Sequence, residues 1–282
     1  MSPSVASIVN PLSQIPDPEA VARLIRETAQ SVILPRFGTL KREDVREKAP
    51  GDLVTIADLE TERRLAARLT EFAPGSAILG EEAVAADPGR MSLAATCDSL
   101  WIVDPVDGTA NFARGQPGFA VIVAYVEHGR TCGGWIFDPL GDRLVWAQAG
   151  AGAWSNGRRL RVTPAPPQPV GAAYGRTAGR VRLAKAIEQA GMRTHNVGSS
   201  GIEYINLALG EAHFALHSRS LPWDHAAGML IAAEAGGRAA FLDESHYTPG
   251  IHDRPVLAAS DAACWMRVRD AVTTPVQGVA AP

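Results

Sequence analysis

Two carboxylates three residues apart, Asp104 and Asp107, form the part of the sequence best suited to chemistry. They follow a short apolar run, Pro105 fixes the backbone between them, and Gly108-Thr109 comes directly after. A turn of this kind directs carboxylate oxygens and backbone N–H groups toward one point. Carboxylates suit a hard cation such as Mg²⁺, and N–H groups suit a phosphate. The segment predicts metal-assisted phosphate chemistry, although Asp-Pro-x-Asp-Gly is also a good turn sequence.

Three further acids lie where predicted helices or strands begin or end. Asp58 and Asp224 stand near helix starts, and Glu81 follows a short strand. Each has an ordinary structural explanation, because aspartate is common at helix N-termini and glutamate is common in charged loops. For each of these acids taken alone, the structural explanation is the better one.

The composition indicates a globular protein without a nucleic-acid partner. The 282 residues are 46% hydrophobic and 20% charged, which is ordinary for a folded domain. The net charge of −3 gives no basic footprint for nucleic acid. The densest charge run, Lys41 to Lys48, mixes both signs and predicts a solvated loop.

Cysteine usage and apolar runs lead us to expect a cytoplasmic protein. Three cysteines without a Cys-x-x-Cys pair indicate neither a disulfide framework nor a zinc site. Residues 1–16 lack the basic and apolar regions of a signal peptide. The longest apolar run, Phe119 to Val126, is too short to cross a bilayer, so we expect no membrane partner.

The first half of the chain predicts helices followed by an antiparallel sheet. Asp17-Pro18-Glu19 is typical of a helix start, and a second helix is predicted after Thr55. Short strands over 77–79 and 100–103 lead into the acids. Alternating apolar residues over 119–162, interrupted by turn sequences such as Asn-Gly, predict a β-meander.

A proline-rich segment, Thr163 to Pro169, predicts the boundary between two subdomains. Beyond it strands and helices alternate, which is typical of an α/β unit. Strands are predicted near 171–174, 194–197, 213–217, 238–242 and 256–259, and helices near 180–190, 200–209, 224–235 and 261–271. The predicted organisation is a flexible N-terminus (1–16), an N-terminal α+β subdomain (17–162), a C-terminal α/β subdomain (170–272) and a flexible tail (273–282).

Three spaced segments resemble the signature segments of the inositol monophosphatase family. They are Gly80-Glu81-Glu82, Trp101 to Phe112, and Trp223-Asp-His-Ala-Ala-Gly228. The segment from Pro50 to Asp58 resembles the one that supplies an early aspartate in that family. The order and spacing match, and the resemblance covers the chain from about residue 17 to 272.

The resemblance implies a layered αβαβα sandwich and a site with two or three Mg²⁺ ions. Glu81 and Asp104, together with the backbone carbonyl of Val106, would hold the first ion. Asp104, Asp107 and Asp224 would hold the second. Two such ions clamp the attacking and leaving oxygens of an in-line displacement at phosphorus.

The resemblance also implies catalytic and substrate-binding residues. Asp58 and Thr109 would orient the attacking water, Glu81 would be catalytic as well, and the N–H groups of Gly108 and Thr109 would cradle the phosphate. The substrate contacts would be Gly108, Thr109, Gly198, Ser199, Ser200, His217 and Asp224. A helix cap formed by Ser199 or Ser200 is the alternative explanation of the Gly-Ser-Ser segment.

One position departs from the inositol-preferring members of the family, which have a glutamate seven residues before the last metal-binding aspartate. Here that position is His217. An imidazole hydrogen-bonds a hydroxyl but lacks a fixed negative charge, so the identity of the substrate stays open. With an unperturbed pKa of about 6.5, His217 would also make the substrate preference depend on pH.

The leading hypothesis is therefore a Mg²⁺-dependent phosphoric monoester hydrolase that acts on a small polyol or sugar phosphate by two-metal activation of water. Alternative substrates are histidinol phosphate, fructose 1,6-bisphosphate and 3′-phosphoadenosine 5′-phosphate. An alternative of another class is a regulatory binding protein on the same fold. The resemblance further implies a small phosphorylated metabolite as the partner, inhibition by lithium and a homodimer.

Overall fold

The computed structural model describes residues 15–174 and 178–274. Its helices are α1 (Pro18–Thr28), α2 (Ile56–Phe72), α3 (Glu81–Ala86), α4 (Leu93–Thr96), α5 (Thr109–Ala113), α6 (Ala178–Gln189), α7 (Ser200–Leu209), α8 (Pro222–Glu234) and α9 (Ala262–Thr273). Its strands are β1 (Val45–Ala49), β2 (Asp52–Thr55), β3 (Ala77–Gly80), β4 (Ser99–Asp107), β5 (Ala120–Glu127), β6 (Arg130–Asp138), β7 (Arg143–Gln148), β8 (Gly152–Ser155), β9 (Arg158–Arg159), β10 (Val170–Tyr174), β11 (Arg193–His195), β12 (Phe214–His217), β13 (Arg238–Phe241) and β14 (Val256–Ala259). Residues 1–14 and 275–282, which contain most of the two segments predicted to be flexible, lie outside the described residues.

Helices and sheets alternate in five layers. The larger sheet has the strand order β3-β4-β5-β6-β7-β8-β9, and the smaller has the order β11-β10-β12-β14-β13. Helices α1 and α2 pack on one face of the larger sheet, and α7 and α8 lie between the two sheets. Helices α6 and α9 cover the outer face of the smaller sheet. The architecture is therefore the predicted αβαβα sandwich.

The strand directions agree with the patterns in the sequence. From β4 to β9 the larger sheet is an antiparallel meander, and β3 pairs with β4 in parallel. In the smaller sheet β10 is parallel to β11 and β12, whereas β14 is antiparallel to both of its neighbours. Within the described residues, no helix is both long and apolar enough to cross a membrane.

A third sheet was not predicted. Strands β1 and β2 form an antiparallel hairpin over residues 45–55. The prediction of a solvated loop over 41–48 is wrong for its second half, because β1 includes Lys48 and pairs with β2. Three of the five residues of β1 are charged, so the sequence there lacks the apolar alternation that predicts a strand.

Helix α8 begins two residues earlier than predicted, and this changes the position of Asp224. Pro222 is the first residue of the helix, where its missing N–H costs nothing and its fixed φ suits the helix. Leu221 occupies the N-cap position, so Asp224 lies within the first turn and does not cap the helix. The carboxylate is thereby free to serve the site described below.

Glycine allows α7 and α8 to approach closely between the two sheets. Gly228 on α8 faces the ring of Tyr204 on α7, and a Cβ atom there would lie 2.1 Å from Tyr204 Cδ2. On the other side of α8, a Cβ atom at Gly134 of β6 would lie 2.8 Å from Ala227 Cα. Because Tyr204 and Ala227 are buried, neither contact can relax outward into solvent.

We predict that Gly228→Ala destabilises the protein by about 1–3 kcal/mol, the usual cost of overpacking a dense core. Urea unfolding followed by circular dichroism measures the free energy of unfolding. The matched control is Gly89→Ala at an exposed position, where the nearest atom to a new Cβ is Asp87 Oδ1 at 3.2 Å. An unchanged free energy of unfolding in Gly228→Ala would contradict the tight packing of α7 against α8.

Candidate active site

A β-bulge explains how Asp104 and Asp107 reach the same site. Side chains alternate across a strand, so residues three apart normally point to opposite faces. In the ladder with β5, Asp104 pairs with Ile122 and Asp107 pairs with Ala120, so β4 has one extra residue between them. Pro105, which has no N–H for the ladder, lies in this irregular stretch.

Asp224 joins the two β4 carboxylates from the first turn of α8. Asp104, Asp107 and Asp224 each offer an oxygen, and these oxygens lie within 4.8 Å of one another. Burial raises the pKa of all three carboxyl groups, and neighbouring negative charges raise the pKa of Asp104 and Asp224 further. Such a cluster either holds protons or attracts a cation.

Glu81 stands beside this cluster at the first position of α3. Its charge raises the pKa of Asp104 and of Asp224, although it is outside the group whose oxygens lie within 4.8 Å of one another. Lys48 Nζ donates to Glu81 Oε1 and to Glu82 Oε1, both at 2.8 Å. The Lys48 side chain is only 14% exposed. Its charge, which was predicted to be solvated, instead pairs with two glutamates and is a structural part of the site.

Glu62 holds the start of α3 and was missed by the sequence analysis. Its carboxylate accepts hydrogen bonds from the backbone N–H groups of Glu82 at 2.8 Å and Ala83 at 2.9 Å. A Cβ atom at Gly80 would lie 2.2 Å from its carboxyl carbon, which explains the glycine before Glu81. The signal was available, because Glu62 lies one helical turn after Asp58 on the buried face of α2.

The N-terminus of α7 binds the carboxylate of Asp107. Oδ2 accepts from Ser199 Oγ at 2.5 Å and from Gly201 N at 2.7 Å, and Oδ1 accepts from both the N–H and the hydroxyl of Ser200. Ser199 also caps α7 by accepting from Ile202 N. The Gly-Ser-Ser segment therefore positions a candidate metal ligand, and the contact of Gly201 was not foreseen.

Asp58 and Thr109 meet beside the acidic cluster. Asp58 Oδ2 accepts from the N–H and the hydroxyl of Thr55, which forms a capping box at the start of α2. Thr109 Oγ1 lies 3.2 Å from Asp58 Oδ1 and 3.0 Å from the carbonyl oxygen of Val106. Burial is the main reason that the pKa of Asp58 rises to about 6.

Gly108 is required by the backbone that follows Asp107. Its φ of 90° lies in the left-handed region, and a Cβ atom would lie 2.6 Å from the carbonyl oxygen of Gly118. Helix α5 then runs for only five residues. The turn thereby places Thr109 directly over the carbonyl of Val106, its hydrogen-bond partner.

A cavity of about 320 Å³ opens next to Asp107 and Asp224. Its lining residues include Tyr174, Gly198, His217, Arg219, Leu221 and His225. Tyr174 Oη lies 3.1 Å from Glu203 Oε1 and accepts from the N–H of Gly198 at 3.0 Å. Neither Tyr174 nor Glu203 was predicted as a site residue, because the contact between them joins segments far apart in the chain.

His217 lines this cavity as a buried, neutral side chain. It is 6% exposed, and its ring stacks on that of Tyr174 at 4.8 Å with an interplanar angle of 5°. Nε2 has no hydrogen-bond partner among the described residues. Burial lowers the pKa of His217 to about 3, so the side chain stays neutral near neutral pH. The expectation that its charge changes there, and with it the substrate preference, is wrong.

We predict that His217 weakens the fold as the pH falls from 7 to 5. Its folded-state pKa, about 3, lies below the unfolded value of about 6.5, so the unfolded chain takes up the proton first. Stability is therefore full above about pH 6.5 and declines below it, by about 1–2 kcal/mol at pH 5. Urea unfolding at both pH values, in EDTA, should show a smaller loss for His217→Gln than for wild type.

The matched control for this experiment is His128→Gln, because the His128 side chain is 76% exposed. That variant should lose as much stability as wild type. An equal loss in His217→Gln would show that His217 takes up a proton in the folded protein.

Comparison with known proteins identifies the family of this chain. The model of the inositol monophosphatase family matches residues 18–273. The chain is 35% identical over 202 residues to a fructose-1,6-bisphosphatase/inositol-1-monophosphatase of Thermotoga maritima, with 70% of this chain and 75% of that protein covered. It is 33% identical over 230 residues to an inositol-1-monophosphatase of Mesorhizobium japonicum, with 73% and 79% covered.

A solved structure supports the same conclusion. The structure of Thermotoga maritima IMPase superposes with a TM-score of 0.77 and 26% identity, over 90% of this chain and 95% of that one. The family match extends over most of the chain and includes the segments that carry all five acids. The chain therefore belongs to the inositol monophosphatase family and is a phosphoric monoester hydrolase.

Proposed function

We propose that this protein is a Mg²⁺-dependent phosphomonoesterase that hydrolyses a small polyol or sugar phosphate by two-metal activation of water. The observation that carries the proposal is the approach of oxygens of Asp104, Asp107 and Asp224 to within 4.8 Å of one another in a partly buried site. Carboxylate oxygens are the ligands that Mg²⁺ prefers. The residues present fit the ion, because three carboxylates this close need positive charge to stay ionised.

The proposed ligand set extends beyond these three residues. Glu81, Asp104 and the carbonyl of Val106 would hold one ion, and Asp104, Asp107 and Asp224 would hold the next, with two or three ions in all. Bound there, the ions supply positive charge to the phosphate and lower the pKa of a water molecule. The hydrogen bonds from α7 already fix Asp107 for this purpose.

Asp58 and Thr109 have a separate proposed task, which is to orient the attacking water. Thr109 Oγ1 has one proton, which it donates in a hydrogen bond to Asp58 Oδ1 or to the Val106 carbonyl, since both acceptors lie within hydrogen-bond distance. The lone pairs of the hydroxyl then accept from the water and set its direction. The N–H groups of Gly108 and Thr109 would hold the phosphate oxygens.

The substrate side of the site is proposed to comprise Gly198, Ser199, Ser200 and His217. The names of the relatives from Thermotoga maritima and Mesorhizobium japonicum support a polyol or sugar phosphate as the substrate class. Histidinol phosphate and 3′-phosphoadenosine 5′-phosphate remain alternatives. Lithium inhibition, a homodimer and a cytoplasmic location stay predictions from the family resemblance.

Phosphate release from a panel of monoesters, with Mg²⁺ and with EDTA, tests the proposal. We expect turnover with at least one polyol or sugar phosphate and none in EDTA. Release that persists in EDTA would contradict the role of the cation. An absence of release from every monoester would favour the alternative of a regulatory binding protein.

We predict that Asp104→Asn abolishes Mg²⁺-dependent turnover while the fold is retained. The amide keeps the shape and the acceptor for the N–H of Val106, but it removes one of three mutually repelling charges. In EDTA the variant should therefore be at least as stable as wild type, and Mg²⁺ should no longer raise its melting temperature. The control is Asp98→Asn, where the carboxylate is 90% exposed. Wild-type turnover in Asp104→Asn would remove Asp104 from the ligand set.

We predict that Thr109→Ala lowers kcat by roughly 10²–10³-fold, as the loss of a positioned polar contact does in other sites. The Mg²⁺ concentration for half-maximal rate should stay within about threefold, because the hydroxyl orients water and does not hold the ion. Thr109→Ser keeps the hydroxyl and should retain most of the rate, whereas Asp58→Asn should behave like Thr109→Ala. Equal kcat values for the alanine and serine variants would contradict this role.

A further inference from the structure

The loop between β12 and α8 is held firmly on both sides of Arg219. The N–H of Ser218 donates to the carbonyl of Tyr174 at 3.0 Å. The hydroxyl of Ser220, which is fully buried, donates to the carbonyl of Ile251 at 2.9 Å. The backbone that carries Arg219 is thus tied to the smaller sheet on one side and to a neighbouring segment on the other.

The carbonyl of Arg219 is fixed as well. It accepts a hydrogen bond from the ring of His225, a buried residue of α8. The other ring nitrogen of His225, Nδ1, lies 3.1 Å from Tyr204 Oη. Since the ring donates to Arg219, Nδ1 is the acceptor for the Tyr204 hydroxyl, and the chain of contacts extends into the core.

The side chain of Arg219, in contrast, has no carboxylate partner. It is exposed, it lines the cavity beside Asp224, and no described carboxylate lies within 4.0 Å of its guanidinium group. Among the described residues that line this cavity, it carries the only positive charge. A rigid backbone therefore presents an unpaired cation at the wall of the cavity.

The carboxylate in the cavity that acts on Arg219 is Asp224: the guanidinium partly offsets the rise in the pKa of Asp224, although the two groups form no salt bridge. His217 is neutral, and the hydroxyl of Tyr174 already bonds to Glu203 and Gly198. The two acids in the lining, Asp107 and Asp224, belong to the proposed ion site, and the ions would neutralise them. The guanidinium is left as a donor for the ligand.

We propose that the leaving-group side of the cavity binds a second anionic group of the substrate, a phosphate or a carboxylate, through Arg219. The planar guanidinium offers paired N–H donors that match either group. The substrate class would then be a phosphate monoester that carries another anion, such as a sugar bisphosphate. This inference rests on the proposed phosphatase function and concerns only the part of the substrate that leaves.

Two matched substrate pairs test the proposal. Fructose 1,6-bisphosphate and fructose 1-phosphate share the same C1 phosphate and differ in the second phosphate, whereas 3-phosphoglycerate and glycerol 3-phosphate differ in a carboxylate. Wild type should show a kcat/KM at least about tenfold higher for the doubly anionic member of one pair. The substrate pair in which this preference appears identifies the second anionic group as a phosphate or a carboxylate.

Arg219→Gln should remove that preference, mainly through KM, with a loss of about tenfold or more for the doubly anionic substrate. The loss for its partner should stay below about threefold. Arg219→Lys should fall between wild type and Arg219→Gln, because it keeps the charge but not the paired donors. The control is Arg68→Gln on the outer surface of α2, where the side chain is 52% exposed. An unchanged ratio within each pair, or equal losses for both members, would overturn the proposal.

A binding measurement separates this inference from the proposed function. Calorimetry with Mg²⁺ and saturating inorganic phosphate, which would occupy the ion site, should detect fructose 6-phosphate, the product that retains the second phosphate, and should detect fructose at least about tenfold more weakly; glycerate and glycerol are compared in the same way for a carboxylate. Arg219→Gln should abolish the difference, and persistence of the difference would overturn the proposal. The phosphatase function itself would instead be contradicted if wild type released phosphate from none of these four esters and from no other monoester of the panel.

Discussion

Mutual repulsion among closely spaced carboxylates is the constraint on which the rest of this structure depends. Two like charges 4 Å apart repel by roughly 4 kcal/mol at an effective dielectric constant of about 20, and here three acids gather within 4.8 Å. Hydrogen bonds from the protein offset this repulsion, but to different extents for the individual acids. Asp107 accepts four hydrogen bonds from the start of α7, whereas Asp104 accepts one from Val106. The repulsion that remains favours a cation, so ion binding and folding stability are linked.

The sandwich provides what this cluster requires. Asp107 ends β4, an interior strand of the larger sheet, and Asp224 lies on a helix between the sheets, more than a hundred residues later. They meet because α8 packs closely against the larger sheet at Gly134 and against α7 at Gly228. The same α7 presents its N-terminal N–H groups to Asp107. Close packing at small residues therefore brings together the elements that carry the acids.

Much of the fold and the central acids were predictable, because their signals are local. Apolar alternation predicted the meander, Asp224 marked a helix start to within two residues, and Asp-Pro-x-Asp marked the paired carboxylates. Lys48 was misread because its partners, Glu81 and Glu82, lie more than thirty residues away. Local spacing gave no indication of this contact, nor of the one between Gly201 and Asp107, which joins the two halves of the chain. The buried, low-pKa state of His217 likewise depends on rings from other elements.

The two ends of the site are built by different means. At the acidic end, short side chains extend directly from strand and helix ends. Backbone geometry therefore fixes their positions, and few substitutions are tolerated there. At the other end, a loop anchored through Ser218 and Ser220 carries Arg219, whose side chain contributes nothing to that anchoring. A substitution at this position therefore changes the charge of the cavity while the carboxylates stay in place. This separation allows one fold to keep its chemistry while the leaving group that it accepts changes.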